Sequence, residues 1–392
     1  MTTSRRPRIL VVGLGGVGSF ALRALARRGV HAVGLEQFDR GHDRGSSHGG
    51  TRVFRHAYFE HPGYVPLLLD STEELLRLER DRDVPLVERC GTLIVEREGG
   101  SILPRCREAA RAHGLPVEEL SARQLASRCP ALRPSPEHVG LLEPAGGFLR
   151  PEAAVRAALE DATQEGAEVR ERTRVIRIEE TAAGARVRTS GGTLEADAVI
   201  VTAGPWAARL LPSLGTRLRV TRQVQAWVEG GARHRPDALP AWFLVRDEGP
   251  ALYGIPSDPH ATHPGRTKLA LHGSAVEADP EEPQAPPTDE ELAALTEAAS
   301  AWMPGLGPWV AATTCFYTST PDEQFLVGPL PGRPRVFAAA GLSGHGFKLT
   351  PALGSALAAL ALGDAPAHPL DFLAPDRELT PFGNDAGPTQ SR

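Results

Sequence analysis

Residues 8–36 read RILVVGLGGVGSFALRALARRGVHAVGLE and decide the fold of this chain. The apolar run RILVV is typical of a buried parallel strand. A glycine-rich loop follows, then the helical pattern SFALRALARRG, then a second strand-like run that ends at Glu36. This order of strand, loop, helix and strand predicts a Rossmann-like unit that binds a dinucleotide.

The three loop glycines, Gly13, Gly15 and Gly18, have the G-x-G-x-x-G spacing. We expect Gly13 to form the tight turn and Gly15 to let a pyrophosphate approach the helix N-terminus. Gly18 is expected to permit close packing of the helix on the strand. We expect Glu36 to accept hydrogen bonds from an adenosine ribose. Because an acid at this position disfavours a ribose 2′-phosphate, the pattern favours FAD or NAD over NADP.

The rest of the chain alternates between helical and strand patterns. Helices are predicted from Tyr64 to about Arg82, from Pro151 to Glu165, and from a cap at Asp289 to about Met303. Short strands are predicted over 168–202, and strands typical of an antiparallel sheet over 218–275. RVFAAAG and TPALGSALAALALG predict a final strand and helix.

Nucleotide-type strand and helix units at both ends predict an α/β (α+β) fold. We expect a Rossmann-like cofactor-binding domain with an antiparallel sheet inserted within it. The first domain is predicted to be discontinuous and to comprise residues 1–85, 140–217 and 322–392. Residues 86–139 and 218–321 are predicted to form the substrate-binding and catalytic domain.

Composition restricts the class of partner. The chain has 392 residues, a formal net charge of -5 and interspersed charges, so we expect no nucleic-acid or membrane binding. No apolar run is long enough to span a bilayer, and we expect no secretory leader. The four cysteines show neither metal-ligand spacing nor a disulfide framework. These features predict a cytoplasmic protein without a metal that acts on small molecules.

Longer motifs link the chain to a known family. They are VVGLGGVG (11–18), GSSHGGTRVFRHAY (45–58), VIVTAGPWAARLLP (199–212), TTCFYTSTPDEQFLVG (313–328) and GLSGHGFKLTP (341–351). Together they resemble the monomeric sarcosine oxidase and N-methyltryptophan oxidase family of covalent flavoproteins, within the D-amino-acid-oxidase-like group. The resemblance runs over nearly the whole chain and implies FAD as the cofactor. With it, the predicted fold is a Rossmann-like FAD-binding domain with an inserted antiparallel-sheet substrate domain.

The resemblance assigns a further set of residues to the cofactor. Cys315 aligns with the cysteine that forms a thioether to the 8-methyl carbon of the flavin. The other residues expected near FAD are Ser46, Thr51, Arg52, Val175, Gly204, Trp206, Gly344, Gly346 and Lys348. One departure is visible, since the family often has an acid where this chain has Gly50. The placement of that loop is therefore open.

The catalytic assignments also follow from the resemblance. Arg55 and Lys348 are expected to hold the substrate carboxylate, for which a guanidinium fork is a natural receptor. Lys268 is expected to activate dioxygen by stabilising developing superoxide. The remaining residues expected at the substrate or flavin are His272, Tyr253, Tyr317 and Arg52.

Lysine usage is consistent with these assignments. Lys268 and Lys348 are the only two lysines, against 41 arginines. A lysine ammonium is a compact point charge whose pKa shifts readily on burial, which the arginine guanidinium does not provide. Composition bias remains the alternative explanation. In an extended strand Lys268 and His272, four residues apart, would share one face.

The predicted activity is the oxidation of N-methyl (secondary) amino acids such as sarcosine by a monomeric FAD-dependent oxidase. The imine product would hydrolyse to an amine and an aldehyde, which are glycine and formaldehyde for sarcosine, and dioxygen would give hydrogen peroxide. Two alternatives stay open. One is oxidation of a bulkier or cyclic secondary amine, such as N-methyltryptophan, a pipecolate or proline-like amine, or a fructosyl amino acid. The other is a flavin amine dehydrogenase that uses another electron acceptor.

Overall fold

The first strand and helix form as the sequence predicts. The structure is a computed structural model that describes residues 7–273, 276–380 and 382. Strand β1 (Arg8–Val12), helix α1 (Gly16–Arg27) and strand β2 (His31–Leu35) follow one another, and β2 ends one residue before Glu36. Helix α1 begins directly after Gly15, without a side-chain cap, so its first N–H groups face the loop.

The remaining elements extend over the described chain. The helices are α2 (Tyr64–Arg82), α3 (Ile102–His113), α4 (Ala122–Arg128), α5 (Pro151–Gln164), α6 (Ala207–Leu210), α7 (Asp289–Trp302) and α8 (Thr350–Ala361). The strands before α6 are β3 (Arg52–Phe54), β4 (Val87–Glu88), β5 (Thr92–Arg97), β6 (Glu118–Ser121), β7 (His138–Glu143), β8 (Gly147–Leu149), β9 (Glu168–Arg170), β10 (Val175–Thr181), β11 (Gly184–Thr189), β12 (Gly192–Ala196) and β13 (Ala198–Val201). Those after it are β14 (Arg219–Glu229), β15 (Ala241–Leu244), β16 (Ala251–Ile255), β17 (Arg266–His272), β18 (Trp309–Ser319), β19 (Leu326–Leu330) and β20 (Arg333–Ala340).

A six-stranded sheet in the order β19-β20-β13-β1-β2-β9 forms the nucleotide-binding part of the fold. All its pairs are parallel except β19 with β20. Ile9 and Val11 of β1 belong to a core with α1, α5 and α8, while Leu10 and Val12 pack towards the small sheet β10-β11-β12. The run RILVV is apolar throughout because the strand is buried on both faces. The predicted Rossmann-like α/β class is confirmed.

An eight-stranded sheet in the order β18-β14-β17-β16-β15-β5-β7-β6 forms the second part. Its pairs are antiparallel, with one exception that the sequence did not predict: β15 runs parallel to β5. Strands β5, β6 and β7, which precede most of the nucleotide-binding elements in sequence, complete this sheet. One of its faces packs on α7 through Leu269 and Trp302. The domain limits given above stay a prediction.

Helix α7 corrects one prediction. Its N-cap is Thr288, not Asp289, which is the first helical residue. The Thr288 hydroxyl accepts a hydrogen bond from the Glu291 N–H at 3.2 Å, and the Glu291 carboxylate accepts one from the Thr288 N–H at 2.8 Å. This reciprocal capping box satisfies two N–H groups, which a cap at Asp289 would not do at this spacing.

A buried ion pair joins the two parts of the fold. Arg150, just before α5, donates two hydrogen bonds of 2.7 and 2.8 Å to the carboxylate of Asp258 in the β16–β17 connection. Asp258 is 1% exposed and Arg150 is 3% exposed. Glu88 accepts a further hydrogen bond of 3.2 Å from Arg150. The pair holds the connection 256–265 against the start of α5.

Replacing Asp258 with Ala should lower the free energy of unfolding by about 3 to 5 kcal/mol, because it leaves a buried guanidinium without its bidentate partner. Urea denaturation measures the change. Glu73→Ala is the control, since its ion pair with Arg77 lies on the surface and should contribute nothing measurable. A loss for Asp258→Ala no larger than for this control would show that the pair does not stabilise the fold.

Candidate active site

A long cavity runs along the carboxyl ends of the parallel strands and past the glycine loop. Many of the predicted cofactor residues line it, and so does Tyr317 of the predicted catalytic set. The cofactor residues are Gly13, Gly15, Glu36, Ser46, Arg52, Val175, Gly204, Trp206, Gly344 and Gly346. Four others, Gly18, Thr51, Cys315 and Lys348, are buried beside the cavity rather than on its lining. This is the edge of an open α/β sheet at which dinucleotides bind.

The glycines of the loop are required by the close approach of backbone segments. Gly13 has a φ of 86°, and a Cβ there would lie 2.7 Å from the carbonyl oxygen of Thr202. A Cβ on Gly18 would lie 1.9 Å from the carbonyl oxygen of Gly13. At Gly15 the nearest side-chain atom would be the hydroxyl of Ser47 at 3.5 Å, so the space beside Gly15 is open to a ligand.

The far end of the cavity suits an adenosine. The Glu36 carboxylate is buried and accepts hydrogen bonds from the N–H groups of Leu14 at 2.8 Å and Phe38 at 3.1 Å. The Phe38 ring lies 5.6 Å from that of Trp206, whose short 3-10 turn begins at Gly204. A fixed carboxylate for the ribose, an apolar and aromatic wall, and an open glycine loop together fit a dinucleotide such as FAD.

One face of the eight-stranded sheet carries four of the predicted catalytic side chains: Tyr253, Lys268, His272 and Tyr317. Strand register pairs Tyr253 with Ala270, and alternation along β17 puts Lys268 and His272 on that same face. Cys315 and Tyr317 share a face of β18, and the Tyr317 hydroxyl lies 3.2 Å from Nδ1 of His272. The side-by-side placement expected for Lys268 and His272 is thus present.

Lys268 is fully buried and is held by neutral oxygens. Its ammonium donates hydrogen bonds to the carbonyl oxygens of Gly49 at 3.1 Å and Thr51 at 2.6 Å, and to Oε1 of Gln225 at 2.8 Å. Burial, and then the nearby charge of Arg52, hold the pKa of Lys268 well below its ordinary value. The three acceptors match the three N–H groups of an ammonium, so this geometry favours the charged form.

The aromatic groups beside Lys268 are uncharged near neutral pH. Burial lowers the pKa of His272 to about 4 and raises that of Tyr253 to about 12. Burial also raises the pKa of the Cys315 thiol, while the charges of Arg52 and Lys268 oppose that shift. The cations therefore set the electrostatic potential on this part of the site.

The predicted carboxylate anchors meet at a tyrosine ring. The guanidinium carbon of Arg55 lies 4.2 Å from the centroid of Tyr58, and Nζ of Lys348 lies 5.0 Å from the same centroid. Lys348 donates hydrogen bonds to the carbonyl oxygen of His345 at 2.8 Å and to the Tyr58 hydroxyl at 3.3 Å. Burial, and then the charge of Arg55, lower the pKa of Lys348 to about 7.

Arg55 is not free to receive a carboxylate in this structure. Its Nη2 donates to both carboxylate oxygens of Glu60, at 2.7 and 2.9 Å, and its Nη1 donates to the carbonyl oxygen of Ala57 at 2.9 Å. The sequence analysis did not identify Glu60 or Tyr58. Both could have been considered from the sequence, because Tyr58 and Glu60 lie three and five residues after Arg55 in RHAYFE.

The loop at Gly50, which has no acid of its own at this position, is held by an acidic side chain from helix α5. The N–H groups of Gly49 and Gly50 donate to Oε1 of Glu152 in α5, at 2.7 and 3.0 Å. A Cβ on Gly50, where φ is 77°, would lie 3.2 Å from the backbone nitrogen of Thr262 in the β16–β17 connection. The sequence analysis missed Glu152, which is distant in sequence and gave no local signal.

Comparison with known proteins identifies the family. Residues 8–360 match the family model described as DAO, FAD dependent oxidoreductase. The chain belongs to this family. It is 38% identical over 376 residues to monomeric sarcosine oxidase of Streptomyces avermitilis, covering 94% of this chain and 97% of that protein. It is 32% identical over 368 residues to N-methyl-L-tryptophan oxidase of Yersinia pestis, covering 93% and 97%.

Solved structures share the fold of this DAO-family chain. L-proline dehydrogenase from P. horikoshii superposes with a TM-score of 0.82 at 21% identity, over 95% of this chain and 97% of that one. Glycine oxidase from Geobacillus kaustophilus gives a TM-score of 0.79 at 23% identity, over 96% and 100%. Within the described residues no helix is long and apolar enough to cross a membrane, and no group of three or more His, Cys, Asp and Glu side chains could hold a metal ion.

Alanine at two of the loop glycines should separate folding from cofactor binding. Gly18→Ala should lower the free energy of unfolding by about 1 to 3 kcal/mol, because the added methyl collides with backbone. Gly15→Ala should leave unfolding of the apoprotein nearly unchanged but reduce bound FAD, since its methyl occupies the open space. Urea denaturation and the flavin absorbance of purified protein measure both effects. Full FAD content in Gly15→Ala would contradict the assignment of this loop.

Proposed function

We propose that this protein is an FAD-dependent oxidase of N-methyl amino acids such as sarcosine. The observation that carries the proposal is the pair of buried cations, Arg55 and Lys348, on one tyrosine ring. His272 lies close enough to feel the charges of both cations, and burial keeps His272, Tyr253 and Tyr317 neutral, so these three side chains form an uncharged wall near them. The two curated relatives, named for sarcosine and N-methyl-L-tryptophan, support this substrate class.

The cations would bind the substrate carboxylate. In the structure Glu60 occupies the guanidinium of Arg55. A carboxylate ligand would exchange with Glu60, and the buried charge of Arg55 would remain paired in both states. Lys348 has a third N–H beyond its bonds to His345 and Tyr58, and that N–H would serve the same carboxylate.

The neutral wall would favour the reactive form of the amine. Only an uncharged secondary amine can release a hydride equivalent from its N-alkyl carbon. An imidazole kept neutral by burial, such as His272, can accept a hydrogen bond from the amine without adding a charge. This hydrogen bond would orient the amine so that its N-methyl carbon faces the bound cofactor.

FAD, bound along the glycine loop, would supply the redox chemistry by accepting two electrons from the amine and passing them to dioxygen. The residues that would hold it line the cavity, with Glu36 at the adenosine end and Tyr317 near the flavin end. Lys268 would supply the positive charge where dioxygen is reduced to hydrogen peroxide. The imine product would leave and hydrolyse to an amine and an aldehyde.

We extend the proposal to a covalent link at Cys315. A carbon–sulfur bond would form between Sγ and the flavin 8-methyl carbon. The thiol S–H bond and one methyl C–H bond would break, and dioxygen would accept the two electrons and two protons. Burial raises the pKa of this thiol, and the nearby cations Arg52 and Lys268 oppose the rise and so would stabilise the reactive anion when it forms.

The proposal extends to the domains of the enzyme, its oligomeric state and its cellular compartment. We propose that the two sheets mark the FAD-binding and substrate-binding domains, and that the enzyme is a monomer, as the name of one relative suggests for that protein. The four unpaired cysteines suit a reducing compartment such as the cytoplasm.

The central test uses purified protein and a panel of secondary amino acids. We expect sarcosine to yield hydrogen peroxide and formaldehyde, and acid precipitation to leave the yellow colour with the polypeptide. In Cys315→Ser the colour should pass to the supernatant. Colour released from the wild-type protein would contradict the covalent link, and absence of peroxide with every amine would contradict the oxidase.

A second candidate is an oxidase of a bulkier N-methyl amino acid, favoured by the 32% identity to N-methyl-L-tryptophan oxidase. The same panel separates the two candidates by their relative kcat/KM values. A dehydrogenase is the remaining outcome, shown by flavin bleaching that persists in air and is reversed only by an artificial acceptor. In a dehydrogenase, Lys268→Met would leave turnover with that acceptor unchanged.

Carboxylate binding should depend on the charge of Lys348. Because its pKa is about 7, the ammonium predominates below that pH and is lost as pH rises through it. The affinity for an aliphatic carboxylate that lacks an amine should therefore fall above about pH 7 and reach a plateau set by Arg55. Flavin difference spectra recorded from about pH 6 to about pH 9, on both sides of this pKa, measure the change. Lys348→Met should bind more weakly and lose the pH dependence, and an unchanged profile would contradict the assignment.

A further inference from the structure

Gln225 lies within the sheet face that carries the proposed catalytic groups. It belongs to β14, is 1% exposed, and pairs in register with Thr313 of β18. Alternation along β14 puts it on the same face as Gln223, which lies directly opposite Cys315. No motif in the sequence indicated this residue.

Its carboxamide oxygen contacts two cations, the buried Lys268 of this face and the partly buried Arg52 of β3. Oε1 accepts a hydrogen bond from Nζ of Lys268 at 2.8 Å and a longer one from Nη1 of Arg52 at 3.4 Å. The other two acceptors of the Lys268 ammonium are the backbone carbonyls of Gly49 and Thr51. Of the three, Gln225 is therefore the one that a side-chain substitution can remove.

The neighbouring loop is shaped to admit this amide. Gly49 has a φ of 95°, and a Cβ there would lie 2.3 Å from Oε1 of Gln225. The amide orientation is fixed, because only the oxygen can accept from two cations. Nε2 is buried, carries two N–H groups and has no nitrogen or oxygen acceptor among the described residues. Burial raises the pKa of the neighbouring Cys315 thiol, and a hydrogen bond from Gln225 opposes that rise.

We propose that Gln225 is a positioning residue for the oxygen reaction: its amide oxygen holds the Lys268 ammonium in place without neutralising it. This inference rests on the proposed oxidase function. A carboxylate at the same position would hold Lys268 equally well but cancel its charge. An apolar side chain would leave one buried N–H unpaired and favour the neutral amine. An amide alone satisfies geometry and charge together.

The nearly isosteric variant Gln225→Glu separates charge from packing. Reduced flavin should be reoxidised by dioxygen about tenfold or more slowly, because a negative charge within a few ångströms of Lys268 opposes charge stabilisation. The oxidised flavin should bind sulfite about tenfold or more weakly for the same reason. Stopped-flow mixing with oxygenated buffer and sulfite titration by absorbance measure the two quantities.

Gln225→Leu tests the holding role through its pH profile. Loss of the acceptor should lower the pKa of Lys268 further, so slow reoxidation and weak sulfite binding should both recover as pH falls. The titratable and charged groups that face Lys268 are Arg52 of β3, Glu152 of α5, Cys315 of β18, and His48 and His263 of the adjoining loops. Lys268→Met identifies the contribution of these groups, and adding Gln225→Leu to it should have no further effect.

Val224→Thr is the matched control, because it alters the same strand on the opposite face. It should leave reoxidation and sulfite affinity unchanged. Wild-type behaviour of Gln225→Glu in both measurements would overturn the inference, since packing alone would then explain the residue. A wild-type protein without bound FAD or peroxide formation would instead contradict the proposed function, so the two failures are distinguishable.

Discussion

The candidate site depends on one constraint: the buried backbone of loop 45–51 must find hydrogen-bond partners in other parts of the fold. This loop has no regular secondary structure and is largely buried, so its backbone polar groups need partners from other elements. The Ser47 hydroxyl accepts a hydrogen bond from the Gly16 N–H of α1, and the Gly49 N–H donates to Glu152 of α5. Lys268 of the eight-stranded sheet donates to the carbonyls of Gly49 and Thr51. One loop thus links the glycine loop, a helix and the eight-stranded sheet.

This constraint also explains the charges of the site. Lys268 and Arg55 are both buried, but their positive charges are treated differently by their neighbours. Lys268 donates hydrogen bonds only to neutral oxygens, so no neighbouring negative charge cancels its electric field in the site. Arg55 is paired with Glu60, so its charge is compensated until another carboxylate takes that place. The difference suits an electrostatic role for Lys268 and a binding role for Arg55.

The sequence predicted elements that depend on local pattern. Residues 8–36, the helix from Tyr64 and the helix from Pro151 formed with nearly the predicted ends. The cap of α7 was missed by one residue because Thr288 and Asp289 are both good caps, and only the reciprocal bond to Glu291 decides between them. The parallel pairing of β5 with β15 could not be predicted, because strand order across such a long separation leaves no local signal.

Site residues divide in the same way. Side chains in recognisable motifs, such as Lys268 and Lys348, could be predicted as candidate site residues from the sequence, whereas Gln225 and Glu152 could not. Both of the latter act on the backbone or charge of a segment far away in sequence, so their role exists only in the folded chain.

The glycine at position 50 shows how such distant residues can compensate for a local change. A loop that lacks its own acid would leave two buried N–H groups without an acceptor, at a cost of about 1 to 3 kcal/mol each. Glu152 supplies that acceptor from α5, and the β16–β17 connection occupies the volume that a side chain on Gly50 would need. Asp258, paired with Arg150, fixes this connection next to the same helix. These contacts form one structural unit: Gly50, Glu152 and the Arg150–Asp258 pair. Because Lys268 donates to the carbonyl oxygen of Gly49 in the same loop, a change in any part of this unit should shift the position of the Lys268 ammonium.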